Sequence, residues 1–331
     1  MGFRVQVLDS PTAFEAEPGE SLLAAALRRD VKLPHACTLG GCGSCRIKVT
    51  EGRVRYAQMP MALSPEEAEQ GYALACQARA ECDLVIDVPR VSFTEPSRQV
   101  AMVTDAAPFC DDVMHLSLIL PDLASLEYRP GQHMNLILPD GSRRSFSMAS
   151  TPDGNAVDFH IRRIRGGLFT EKMLCDLQPG DMLELEIPLG TFRYHEEDYR
   201  EVLMVATGTG ISPLRAMAHG LMADPDCPPV SLYWGGRTAD GLYLDDEIRT
   251  WGERLYEFHY HPVLSCADAA WTGHRGHVQD AVARDFTDLS QHSIYLCGSP
   301  AMVHDAKAAF LEMGASIDHI YAEGFNFQLR G

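Results

Sequence analysis

The sequence predicts a multidomain chain of three units in series: a small α+β unit over residues 1–90, a β-barrel over 99–197 and an α/β unit over 198–331, with a linker at 91–98. Three observations carry this. At 331 residues the chain has room for two or three domains. Its middle third shows short strands separated by turns, the pattern of a barrel. Its last third alternates continuous apolar runs with helical patterns, the pattern of a parallel sheet covered on both faces.

In the first unit, residues 3–8 alternate as a strand, Ser10-Pro11 turns the chain, and 12–16 form a second strand. Residues 21–29 read as a short helix with Leu22, Leu23, Ala26 and Leu27 on one side. Ser64-Pro65-Glu66-Glu67 is a capping box with proline at the first helical position. Residues 84–88 close the unit as a strand, and the polar, proline-broken stretch 89–98 follows as the linker. Barrel strands are predicted at 113–120, 134–138, 156–163 and 182–187, punctuated by Pro130-Gly131, Asp140-Gly141 and Pro179-Gly180. Apolar runs at 202–206, 230–234 and 293–297 are the strands of the last unit. One following helix carries Leu214, Met217, Ala218 and Leu221, and another spans 302–311. No internal repeat or low-complexity tract interrupts this order.

The chemistry is concentrated in four cysteines. Cys37-Thr38-Leu39-Gly40-Gly41-Cys42-Gly43-Ser44-Cys45 is followed, after 30 intervening residues, by Cys76. C-x4-C-x2-C with a distant fourth cysteine is the spacing that holds a [2Fe-2S] cluster. Two irons need four thiolates, and Gly40, Gly41 and Gly43 allow positive φ and close approach of N–H groups to sulfur. Zinc is the weaker reading, because only Cys42 and Cys45 form a C-x2-C knuckle. A disulfide framework is unexpected in a chain of this length without a secretory signal. Cys82, Cys110, Cys175, Cys227 and Cys266 read as buried free thiols.

Composition narrows the function classes. Hydrophobic residues make up 46% of the chain, enough for cores throughout, and the net charge is −18, from 28 basic and 46 acidic residues. Nucleic-acid binding needs a basic surface, and this charge argues against it. The acidity suits a partner with a basic patch. No run of 18 apolar residues predicts a membrane span. Met1-Gly2-Phe3-Arg4-Val5 lacks the features of a signal peptide, and ten cysteines without one point to the reducing cytoplasm.

Four further motifs each have a functional and a structural reading. Gly208-Thr209-Gly210-Ile211-Ser212-Pro213 lies between a strand and a helix, where free N–H groups cradle a pyrophosphate, or simply turn the chain. In Arg143-Arg144-Ser145-Phe146-Ser147 an arginine suits phosphate, an aromatic suits a ring system and a serine suits a ring nitrogen; alone it is a basic strand end. Gly166-Gly167-Leu168-Phe169-Thr170 offers backbone donors near a helix start, or a glycine turn with a threonine cap. Cys297-Gly298-Ser299-Pro300 ends a strand of the parallel sheet, where ligands sit, although Cys297 alone reads as a core thiol. Arg237, just past the strand at 230–234, can meet a 2′-phosphate, a ribose or a surface carboxylate. No haem signature is present, and no two-His-one-carboxylate set can be read from the scattered histidines.

In this order the motifs resemble the ferredoxin-first, ferredoxin–NADP reductase-like electron-transfer components of ring-hydroxylating dioxygenases and related multicomponent oxygenases. The reductase of the deoxysugar dehydrase system shares the layout. The resemblance covers nearly the whole chain. It implies a β-grasp plant-type ferredoxin, a Greek-key flavin-binding barrel and a Rossmann-like nucleotide-binding domain. The family's R-x-[YF]-[ST] motif matches Arg144, Phe146 and Ser147, which implies Arg144 on the flavin pyrophosphate, Phe146 stacked on the flavin and Ser147 near its N5. Phenylalanine in place of the more usual tyrosine removes one hydroxyl contact and implies weaker flavin binding. Gly167 and Thr170 match the G-x-x-[ST] phosphate motif, with Gly166 beside them, and favour FAD over FMN. Ser145, His160 and Arg162 join the implied cofactor-binding set. Gly208, Thr209, Gly210, Ser212 and Pro213 match the dinucleotide motif. Cys297 and Gly298, with Pro300 after them, match the Cys-Gly motif beside the nicotinamide. Phe325 in Glu323-Gly324-Phe325 would shield the flavin, although six residues follow it. Ser147, Cys297 and Phe325 are thus implied nearest the reacting atoms.

The implied activity is hydride transfer from NADH or NADPH, with NADH favoured, to FAD, then single electrons through the [2Fe-2S] cluster to a partner. That partner would be a terminal oxygenase, most simply a Rieske ring-hydroxylating one, or its ferredoxin; a deoxysugar dehydrase or another oxygenase class is the alternative. A redox-sensing binding protein is the competing class, and it would show no steady NADH oxidation with an artificial acceptor. A membrane pump subunit of related layout is disfavoured by the lack of an anchor.

Overall fold

The structure, a computed structural model, describes residues 2–35, 37–89 and 96–324. The chain divides into two compact units, Met1–Phe93 with Ala322–Asn326, and Thr94–Tyr321 with Phe327–Gly331.

The first unit is built on a five-stranded mixed sheet, ordered Ala13–Ala16, Phe3–Val7, Leu84–Asp87, Arg46–Glu51, Tyr72–Leu74. Phe3–Val7 runs parallel to Leu84–Asp87 and antiparallel to Ala13–Ala16. The helix Leu22–Arg28 packs against Ala13–Ala16, with the Ser21 hydroxyl accepting from the Ala24 amide at 3.3 Å. It buries Leu22, Leu23, Ala25 and Ala26, whereas Leu27 is 47% exposed. Ala25 stands three positions after Leu22 and stays on its face, while Leu27, five positions on, swings off it. The capping box at Ser64 forms as read: the Ser64 amide donates to Glu67 Oε2 at 2.8 Å and the Glu67 amide to Ser64 Oγ at 3.2 Å. Arg46–Glu51 and Tyr72–Leu74 are strands the sequence does not announce, and they flank the cysteine loop.

The second unit carries two sheets. Six antiparallel strands follow in the order Arg143–Ser147, His133–Ile137, Met182–Leu189, Ser97–Cys110, Val113–Ile119, Ala156–Arg162. A bridge between Met148 and Phe159 joins the first strand to the last and closes the barrel. Leu116, Leu118, Met134, Leu136, Phe159 and Leu185 fill it. Ser97–Cys110 begins within the stretch read as linker; charged Asp105, Pro108 and two register shifts hide its alternation in the sequence.

The other sheet is ordered His274–Arg275, Phe258–Leu264, Val230–Gly236, Glu201–Thr207, His292–Gly298, Ile320–Gly324, and its pairings from the first strand to the fifth are parallel. The chain grows outward from Glu201–Thr207 on one side and then returns to its other side with His292–Gly298. At such a reversal α/β sheets bind ligands, in the crevice at the carboxyl ends of the two strands. No helix among the described residues is long and apolar enough to cross a membrane.

The helix Ile211–Leu221 docks this sheet onto the barrel. Arg215 Nη1 donates to the Ala149 carbonyl at 2.8 Å, and its Nε donates to Glu247 Oε1 at 2.7 Å. Burial by itself raises the Glu247 pKa, but hydrogen bonds from His219 and Arg215 outweigh it and hold the carboxyl at about 2. A depressed folded value means stabilisation that is complete above the ordinary 4.5 and is lost as pH falls toward 2. The Tm gap between wild type and Glu247→Gln is therefore expected to be widest near neutral pH and to narrow as pH falls below 4.5. Thermal melts from pH 7 to about 3 check this, and a gap independent of pH would refute it.

Candidate functional site

In the cysteine loop Cys45 and Cys76 are buried, at 3% and 7% exposure, while Cys37 and Cys42 are partly exposed. Gly40 and Gly43 adopt φ of +75° and +79° as expected, but Gly41 does not; Thr38, at +58°, makes the other left-handed turn. Thr38 is held there by Gln77, whose Nε2 donates to its carbonyl at 3.0 Å. The thiols stand in two hydrogen-bonding pairs, Cys37 with Cys42 and Cys45 with Cys76. The Leu39 amide donates to Cys37 Sγ at 3.4 Å, and the Gly41 and Cys42 amides also face that sulfur. The Cys42 bond and these amides outweigh burial and lower the Cys37 thiol to about 5, while Cys42 is pushed up by its partner. The Cys45 bond likewise lowers Cys76. Four sulfurs in two adjacent pairs, with amides turned toward them, fit the four thiolates that a two-iron cluster would need. The five cysteines read as buried thiols are not buried: Cys175 and Cys266 are exposed and Cys82, Cys110 and Cys227 partly so, because turns, a short 3-10 helix and a strand end carry them.

On the barrel strand Arg143–Ser147, alternation puts Arg144 and Phe146 on one face, and the Phe146 ring lies 5.6 Å from that of Phe169. Ser147 is buried beside the closing bridge. Ser145 faces the other way. Its hydroxyl donates to Asn135 Oδ1 at 2.7 Å, within a network that includes Glu186 and Arg143. Gly167 precedes a π-helical turn, Leu168–Met173, of a kind that recurs at functional sites. A Cβ on Gly167 would stand 2.2 Å from Thr170 Oγ1 and 2.9 Å from the Ile164 carbonyl, so only glycine fits. The Thr170 hydroxyl is tied to the Ile164 backbone, and the Gly166 amide donates to the Glu171 carboxylate. These donors hold the turn itself.

His160 and Arg162 point to the parallel sheet. Arg162 lies over Gly208, its guanidinium nitrogens 3.1 Å from where a Cβ would be, and its Nε is 3.2 Å from Asp112 Oδ2. His160 is 5% exposed, with Nδ1 3.2 Å from Tyr243 Oη and its ring 4.9 Å from that of Phe109. Burial pushes its pKa down to about 3, so it stays neutral. Phe109 and Tyr243, unnoticed in the sequence, stack at 5.4 Å and complete this aromatic contact between barrel and sheet.

At the crevice the Gly208–Gly210 turn leads into Ile211–Leu221. A Cβ on Gly210 would stand 2.1 Å from the Cys297 carbonyl oxygen, and one on Gly298 would stand 2.3 Å from Thr207 Oγ1. The two loops interlock, and the Trp234 indole closes them from below, donating to the Gly208 carbonyl at 2.9 Å. Cys297 is fully buried, as are Ser212 and Pro213, while Thr209 is partly open. Ser299 caps the helix Pro300–Glu312 through the Met302 amide. Arg237 is exposed at the end of Val230–Gly236, with its carbonyl accepting from the Cys266 amide. The structure thus gathers Gly208, Gly210, Cys297 and Gly298 in one place with Arg162 above them. Phe325 lies outside the described residues.

Family models match three segments: a 2Fe-2S iron-sulfur cluster binding domain over residues 5–81, an oxidoreductase FAD-binding domain over 100–194 and an oxidoreductase NAD-binding domain over 204–308. The chain is 32% identical to the CDP-6-deoxy-L-threo-D-glycero-4-hexulose-3-dehydrase reductase of Yersinia pestis, over 98% of this chain and 99% of that protein. It is 31% identical to the terephthalate 1,2-dioxygenase reductase component 1 of Comamonas sp, over 98% of each. The crystal structure of the Amycolatopsis cytochrome P450 reductase GcoB matches with a TM-score of 0.74 and 33% identity, over 98% of each chain. With its three domains in this order and the relatives matched from end to end, the chain belongs to the family of ferredoxin-first iron–sulfur flavoprotein reductases, oxidoreductases that pass electrons from NAD(P)H through FAD to a [2Fe-2S] cluster.

Proposed function

We propose that this reductase supplies electrons to a terminal oxygenase of the Rieske ring-hydroxylating kind, directly or through that enzyme's ferredoxin. The observation that carries this is end-to-end similarity to a protein named as the reductase component of a 1,2-dioxygenase. The net charge of −18 suits a partner with a basic docking patch. A second reading, a deoxysugar dehydrase as acceptor, is favoured by the Yersinia relative at nearly the same identity and coverage.

When bound, FAD accepts hydride from the nicotinamide and the cluster carries single electrons outward. In our proposal Cys37, Cys42, Cys45 and Cys76 hold the cluster. Arg144 pairs with the flavin pyrophosphate, Phe146 packs on the ring system and Ser147 meets its polar edge. Ser145 acts through the strand, by way of its bond to Asn135. Gly166, Gly167 and Thr170 shape the turn that approaches phosphate. Gly208, Thr209, Gly210, Ser212 and Pro213 receive the dinucleotide, Arg162 adds positive charge over that loop, and His160 braces it through Tyr243. Cys297, Gly298 and Pro300 border the nicotinamide, and Phe325 shields the flavin. Arg237 meets the adenosine ribose, and NADH is the donor. Ten cysteines, with no disulfide among the described residues, favour a cytoplasmic setting.

The test is a coupled assay: the holoprotein with NADH or NADPH, a purified Rieske oxygenase with its aromatic substrate, or a purified dehydrase with its nucleotide sugar. Product formation tied to NADH oxidation with the oxygenase is expected. Coupling to the dehydrase alone would overturn the proposed partner, and a faster reaction with NADPH would overturn the proposed donor.

A further inference from the structure

Three side chains of the nucleotide-binding sheet converge at its outer edge, apart from the Gly208–Gly298 crevice. His261 stands in the strand Phe258–Leu264, His274 in the edge strand His274–Arg275, and Asp285 is the last residue of the helix Val278–Asp285. His261 Nδ1 and His274 Nε2 are 3.3 Å apart, His274 Nε2 and Asp285 Oδ2 are 3.3 Å apart, and His261 Nδ1 and Asp285 Oδ2 are 3.6 Å apart. All three ligand atoms lie within reach of a single ion.

These lengths discriminate between explanations. As hydrogen bonds all three are long, since N–H···O and N–H···N bonds cluster near about 2.9–3.0 Å. As edges of a coordination polyhedron they are ordinary. A tetrahedral ion with bonds of about 2.0–2.1 Å separates its ligands by about 1.63 bond lengths, or about 3.3–3.4 Å. An octahedral ion with similar bonds would bring them to about 2.9–3.0 Å. The triangle therefore has the size of one face of a tetrahedral site.

The surroundings hold these side chains in place as second-sphere groups do around metals. Tyr233 is fully buried, stacks on the His261 ring at 4.3 Å with 6° between the planes, and donates its hydroxyl to Asp285 Oδ2 at 2.7 Å. The Trp271 indole donates to the His274 carbonyl at 3.0 Å and anchors the edge strand. The three side chains keep 26–32% exposure, so water can reach a fourth position. Two imidazoles, one carboxylate and an open position make a donor set suited to zinc.

We propose that His261, His274 and Asp285 form a binding site for a zinc-class divalent ion, with water as the fourth ligand. The ion would tie the two-residue edge strand to the helix behind it, and so secure the rim of the nucleotide-binding sheet. Nothing in the electron path runs through it.

The experiment uses the holoprotein, stripped of loose metal with a mild chelator and incubated with ~10 µM free Zn²⁺. Zinc and iron per chain are measured by mass spectrometry after gel filtration, and Tm is recorded with and without zinc. Uptake of one zinc per chain with iron unchanged, and a Tm raised by a few degrees, are expected. The double variant His261→Gln/His274→Gln should keep its flavin and cluster absorbance and lose both effects. Should that variant not fold, His274→Gln alone, on the short edge strand, serves the same comparison. The proposal is overturned if wild type takes up no zinc. It is equally overturned if the variants take up as much, because the zinc then belongs to thiols such as Cys175 and Cys266, or if zinc enters only as iron leaves the cluster.

Discussion

Cys42→Ser is expected to remove the cluster's visible absorbance and cut cytochrome c reduction by about a hundredfold or more, while nicotinamide-dependent ferricyanide reduction stays within about twofold of wild type. A serine hydroxyl does not ionise near neutral pH, so the pair on that side would be reduced to Cys37 alone. Cys42 also donates to Ser44 Oγ at 3.4 Å, a contact that holds the loop between the two cysteine pairs. The split between acceptors follows from the two compact units. The barrel and nucleotide sheet have their own cores, so hydride chemistry there does not depend on the cysteine loop. Absorption spectra and the two acceptor assays, run on one preparation, decide it. An intact cluster spectrum in Cys42→Ser would remove Cys42 from the ligand set. Parallel loss of both activities would show that the two units do not act independently.

Gly210→Ala is expected to lower kcat/KM for the nicotinamide donor by tenfold or more and to destabilise the second unit by roughly 1–3 kcal/mol. The new methyl group would sit 2.1 Å from the Cys297 carbonyl oxygen, 2.6 Å from its carbon and 2.9 Å from the Gly298 amide. All three are backbone atoms of a central strand end, so no rotamer change relieves the clash. The loop and the Cys297-Gly298 strand end must separate, and that opens the crevice in which the nucleotide is proposed to bind. Gly241→Ala is the control, since a Cβ there meets nothing within 4 Å. Steady-state kinetics and urea titrations on both variants check the prediction. A Gly210→Ala protein with wild-type KM and midpoint would mean that the loop and strand end tolerate separation and that the interlock has no functional weight.

Features set by local spacing are readable directly from the chain. Three cysteines within nine residues announce a ligand loop, because short covalent connections hold their thiols close together. Gly208 and Gly210 between an apolar strand and a helix announce a tight strand-to-helix turn for the same reason, and Ser64 with Glu67 announces a helix start. The long apolar runs of the parallel sheet were legible because both faces are buried. Two strands of mixed polarity were not: Ser97–Cys110 hides behind its register shifts, and Phe258–Leu264 behind His259, Tyr260 and His261 on a partly exposed face.

Tertiary structure alone decided which side chains meet across the sheet and across the two packed layers. Packing of the barrel on the sheet lays Arg162 over Gly208 and His160 against Tyr243. Register brings His261 opposite Tyr233, and the crossover helix returns Asp285 to both His261 and His274, a set that scattered histidines do not disclose. One cause covers both cases. A motif is readable when short covalent connections impose its geometry, whereas contacts between distant segments depend on strand register and side-chain facing, which only the assembled core sets.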